Sequence, residues 1–100
     1  MKDFSHIRSF ENNLEFQLSA LGTLDKTLKM MKKSLKEYKK LMEYYYSEQR
    51  KQDLTADERG EIPDDLQRGV LSEDAIYNMM ISYRETALDM MEIALAMLKA

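Results

Sequence analysis

From Ile7 onward the apolar residues fall into a seven-residue frame: Ile7, Leu14, Leu21, Leu28, Leu35 and Met42, with Phe10, Leu24, Met31, Tyr38 and Tyr45 three residues after them. Gln17 alone interrupts the second row. A period of seven held this long predicts a first helix from about Phe4 to Glu48 with a coiled-coil-like seam. At 1.5 Å per residue it would be on the order of 65 Å long. Gly22 costs about 1 kcal/mol relative to alanine inside a helix. The frame continues through it unshifted, so one continuous helix is expected.

A second helix is announced by Leu71-Ser72-Glu73-Asp74-Ala75-Ile76. Ser72 can cap the first free backbone N–H groups, and Glu73 and Asp74 suit the positive end of the helix dipole. Leu71 and Ile76 have the spacing of a hydrophobic staple. From about residue 73 to 99 the pattern then sets Ile76, Met80, Tyr83, Ala87, Met90, Ala94 and Met97 on one buried stripe. Gly69, just ahead, suits a tight turn with positive φ.

Between these helices, residues 49–71 read as a long ordered loop. Leu54, Ile62, Leu66 and Val70 can fold it back, Pro63 holds Ile62 extended, and Asp64 to Arg68 can form one short helical turn. The architecture expected is therefore all-α: a single domain, residues 1–100, built as a long antiparallel helical hairpin. The longer first helix would overhang its partner and carry Phe4, Ile7, Phe10, Leu14, Phe16 and Leu18 beyond it. An apolar surface of that extent calls for a cover. Two hairpins forming a dimeric four-helix bundle are the simplest one.

The segment from Tyr44-Tyr45-Tyr46-Ser47-Glu48 to Gly69-Val70-Leu71-Ser72-Glu73-Asp74-Ala75-Ile76-Tyr77 resembles a family of short bacterial proteins known as domain of unknown function 4298. The Gly69 to Ala75 run is the most specific part of the likeness. An aromatic residue such as Trp often stands in that family where this chain has Arg50. The resemblance implies a helical bacterial protein and carries no assigned activity.

Composition narrows the chemistry. Three glycines and one proline leave few turn-formers among many helix-formers. With no cysteine, disulfides and thiolate chemistry are excluded, which suits a reducing cytoplasm. Met1 to His6 show no apolar run behind a basic start, and no stretch reaches the roughly 20 apolar residues that span a bilayer. A cytoplasmic protein with no membrane association is expected. The net charge of −3 gives no global pull toward nucleic acid.

Asp53, Asp57 and Glu58 lie in an acidic stretch, and Arg68, Ser72, Glu73 and Asp74 surround the start of the second helix; these seven are the candidate binding residues. Arg68, Glu73 and Asp74 can gather round the free N–H groups to receive an anion or a partner's backbone. The competing reading gives the same residues to a helix cap, a glycine turn and local ion pairs. The acidic stretch lacks the alternating spacing and central glycine of a calcium loop, so no metal and no cofactor are expected. Glu85, Asp89 and Glu92 share a helical face, as magnesium-binding carboxylates of some helical nucleotide-handling enzymes do, but that face points away from the apolar stripe. His6, the one histidine, cannot supply a di-metal centre or a triad.

Seven lysines between Lys26 and Lys40 make a basic stripe that can track phosphates, yet they occupy the outer heptad positions and include no arginine. Nucleic-acid binding is the weaker reading of that stripe. The methionine pairs fit core filling better than promiscuous binding. The function expected is a non-enzymatic structural or protein-interaction module that self-associates, with an unidentified protein partner at residues 53–74. The alternatives are a small magnesium-dependent enzyme or ligand-binding protein, and a nucleic-acid binder.

Overall fold

A computed structural model describes every residue from Met1 to Ala100. Helix α1 runs unbroken over Ser5–Tyr45, α2 over Glu48–Glu58 and α3 over Ala75–Lys99, with a 3₁₀ turn at Gly69–Leu71 and no strand. The all-α class follows. The chain divides into two compact units, Met1–Leu41 and Met42–Ala100.

The first unit is α1 up to Leu41 with its lead-in. Asp3 starts the helix: its carboxylate accepts the Ser5 N–H at 2.9 Å and the Ser5 hydroxyl at 3.1 Å. Those bonds, the backbone one foremost, hold the Asp3 carboxyl below its usual range. The helix passes straight through Gly22, where an added Cβ would meet open space. The heptad seam is uncovered along the first two-thirds of α1: Leu14 and Leu21 are each 52% exposed.

The second unit corrects the expected boundaries. The long helix ends at Tyr45 rather than Glu48, and residues 49–58, expected as loop, belong with Glu48 to α2. The reason lies in two end signals. Ser47, with extended backbone, accepts the Arg50 N–H at 3.2 Å and caps α2. At the far end Gly60 has φ 68°, its N–H reaches the Asp57 carbonyl and the Glu61 N–H reaches the Ala56 carbonyl. This is a Schellman ending, which wants a residue free to adopt the left-handed conformation. Between these signals Glu48 to Glu58 contains no glycine or proline.

Positive φ thus falls at Gly60 and not at Gly69, which lies in the 3₁₀ turn. The helical turn expected at Asp64 to Arg68 is instead a tight turn closed by the Leu66 N–H on the Pro63 carbonyl. The 3₁₀ turn packs against both α2 and α3. Just beyond it Ile76, 4% exposed, is the one buried side chain of the chain. Leu54, Ile62, Leu71, Met79, Met80 and Tyr83 are half-buried, while Leu66 and Val70 stay exposed. The expected stripe on α3 is covered only at its start, since Met90 and Met97 are exposed. No helix is long and apolar enough to cross a membrane.

Candidate functional site

The polar groups of the second unit gather where α1 gives way to α2. One hydroxyl makes the corner: Ser47 Oγ donates to the Tyr44 carbonyl at 2.6 Å while accepting the Arg50 N–H. A serine here satisfies a free carbonyl at one helix end and a free N–H at the next. The corner brings Tyr44 over α2, and its phenol donates to Asp53 Oδ2 at 2.6 Å. Gln49, one turn before Asp53, donates to Oδ1 at 2.9 Å. Both carboxylate oxygens of Asp53 are therefore engaged.

The electrostatics match that geometry. The Tyr44 hydrogen bond, with Gln49 second, holds the Asp53 carboxyl below its ordinary range. Partial burial, reinforced by the hydrogen bond and negative charge of Asp53, pushes the Tyr44 phenol up. Asp53 is thus a stabilised carboxylate and a weak base.

Arg50 closes the other side. Its guanidinium lies 4.6 Å from the centre of the Tyr45 ring, and its Nε donates to the Val70 carbonyl at 3.1 Å. The Tyr45 ring meets Tyr46 edge-on at 4.9 Å. A cation over an aromatic face and a bond to a backbone carbonyl twenty residues along tie α2 to the 3₁₀ turn. Asp57, one turn after Asp53, pairs with Arg68 at 2.8 Å and fastens the connecting segment to the end of α2. Ser72 Oγ donates to the Gly69 carbonyl at 2.8 Å and accepts the Ala75 N–H at 3.1 Å. It thereby supports the first turn of α3, as expected, although the helix begins at Ala75.

The seven candidate residues are not gathered into one pocket. Arg68 faces Asp57 on α2, which replaces the expected meeting with Glu73 and Asp74. Those two side chains, and Glu58 at the end of α2, are exposed. Asp74 stands at the N-cap of α3 without a capping bond from its side chain. No three acidic or histidine side chains converge as metal ligands would. Glu85, Asp89 and Glu92 are exposed on α3, and His6 is exposed on α1.

Sequence reasoning missed Tyr44, Gln49 and Arg50 as working parts of this cluster. The Gln49 to Asp53 spacing of one helical turn is visible once Ser47 and Gly60 are read as helix ends. The Arg50 contact with the Val70 carbonyl left no such trace, because a backbone acceptor has no residue type.

The sequence profile of the family described as a domain of unknown function, DUF4298, matches residues 7–93. The chain belongs to that family. The match extends beyond the motif-bearing segment 44–77 into most of α1 and α3. No curated protein and no solved structure matches the chain. Within the family motif, Gly69, Ser72 and Ala75 share the bonds that launch α3, and Ile76, just after it, is the buried residue of the fold.

Proposed function

We propose that this chain is a non-enzymatic structural or protein-interaction module of the bacterial cytoplasm that self-associates through α1. The observation that carries the reading is the uncovered seam. The first unit contains a single helix, so the row from Ile7 to Leu28 has no second element of its own unit on which to pack. Leaving it wet is costly at about 25 cal/mol per Å² of apolar surface, and a second copy of the same seam is the matching cover. The polar cluster of the second unit supports the non-enzymatic part. Its strongest bonds join helix to helix and helix to turn, and in its one hydroxyl–carboxylate pair the Tyr44 phenol titrates upward and Asp53 downward, the opposite of an activated nucleophile and base. The exposed carboxylates Glu58, Glu73 and Asp74 remain for a basic surface of a protein partner.

Sedimentation equilibrium over a wide concentration range tests this. A dimer that dissociates on dilution is expected, and Leu14→Glu combined with Leu21→Glu should leave a monomer. A parent chain that is monomeric at every concentration overturns the reading.

A further inference from the structure

The two flanks of the α1 seam differ in a way that sets the direction of pairing. In the heptad frame of Ile7 and Leu14 as first positions, one flank carries Glu11, Leu18, Asp25, Lys32 and Lys39. Its charge reverses midway along the helix. The opposite flank carries His6, Asn13, Ala20, Thr27 and Ser34, with no acid, lysine or arginine. The outer positions are balanced up to residue 25, with Glu15 against Arg8, and basic beyond it, with Lys26, Lys29, Lys33, Lys36 and Lys40 against Glu37. Asp25 is paired with Lys29 and Glu37 with Lys40 within the helix. Glu11 and Lys32 have no ion pair in the chain.

In a parallel pair the charged flank of one helix meets the uncharged flank of the other, and the lysine-rich segments lie side by side. In an antiparallel pair each flank meets its own kind in reverse order. Glu11 then faces Lys32, and Leu18 faces Asp25. We infer that α1 pairs with a second copy of itself in the antiparallel sense, with Leu21 opposite Leu24 of the second copy. This rests on the self-association proposed above. The register sets Leu14 against Met31 and Phe10 against Leu35 of the other chain, and it places Glu11 against Lys32 twice by symmetry. The uncharged flanks meet as Ala20 against Thr27 and Asn13 against Ser34, where small and polar side chains allow close approach. The register overlaps residues 10–35 of the two helices, about 38 Å at helical rise, where Phe10, Leu14, Leu21, Leu24, Leu28 and Leu35 are exposed and Met31 is half-buried.

The chain has no cysteine, so single introduced cysteines can carry nitroxide labels for dipolar distance measurement. Thr23→Cys lies at the centre of the proposed overlap and Ser9→Cys near its end. The antiparallel register separates two labels at position 9 by about 40 Å along the axis and brings two at position 23 within about 20 Å. A parallel pair brings both within about 20 Å. Short distances at both positions would overturn the direction and leave self-association standing. No dipolar coupling at either position would overturn self-association itself. Charge reversal gives an independent reading: Glu11→Lys should raise the dimer dissociation constant about tenfold, and adding Lys32→Glu should restore it. Loss without restoration would overturn the register.

Discussion

The Tyr44 phenol donates to Asp53 across the corner between α1 and α2 at 2.6 Å, and each residue shifts the other's titration. Asp53 titrates below its ordinary value, so its contribution to stability is complete above the usual carboxylate range and is lost as pH falls through the lowered value. Tyr44 titrates above its ordinary value of about 10, so its contribution is complete below that pH and is lost as pH rises through the raised one. The corner is at full strength between these limits. Tyr44→Phe should move the Asp53 carboxyl up toward its usual range, as followed by carboxyl-carbon NMR titration. An unmoved Asp53 would show that the bond does not persist in solution.

The glycines separate cleanly. Gly60 has positive φ at the Schellman ending of α2, so Gly60→Ala should destabilise the protein by about 1 kcal/mol through backbone strain. Gly22 lies inside α1 with open space where a Cβ would sit, so Gly22→Ala should stabilise by up to about 1 kcal/mol. Thermal denaturation of the two variants should shift in opposite directions. The same sign for both would contradict the assigned helix ends.

That pair also marks what could be read along the chain. α1 was legible because seven-residue periodicity is written in the apolar residues themselves, and it survived Gly22. α2 was not, because Glu48 to Glu58 is a polar segment with no apolar stripe. Its existence is written only in Ser47 and Gly60, two single-residue signals that periodicity passes over. Ser72 was legible as a local cap. The partner of Arg68 was not, since Asp57, Glu73 and Asp74 are all acids within reach along the sequence and only the folded chain selects Asp57.

Arg50 combines two contacts that lysine cannot reproduce together, a planar stack on Tyr45 and an Nε bond to the Val70 carbonyl. Arg50→Lys should therefore lower the melting temperature and speed amide exchange in the 3₁₀ turn Gly69–Leu71, while the exchange of Leu14 to Leu28 in α1 stays unchanged. Equal effects on both segments would mean that Arg50 acts on the whole chain rather than on this attachment.

Arg68 and Asp57 form the ion pair that fastens the segment after α2, but both remain partly open to water, at 41% and 30% exposure. Solvent screening limits such a pair to about 1 kcal/mol or less. Arg68→Gln should accordingly leave the melting temperature within a few degrees of the parent. Its effect should be local. With the pair gone, the Leu66 N–H bond to the Pro63 carbonyl is the one hydrogen bond left within residues 62–67, and limited proteolysis there should accelerate. The parent at high salt should move toward the variant, because screening weakens the same attraction. If Arg68→Gln instead unfolds the second unit, the pair is carrying stability that its exposure does not allow. If cleavage is unchanged, the segment is held by its apolar contacts, with half-buried Ile62 the first residue to substitute.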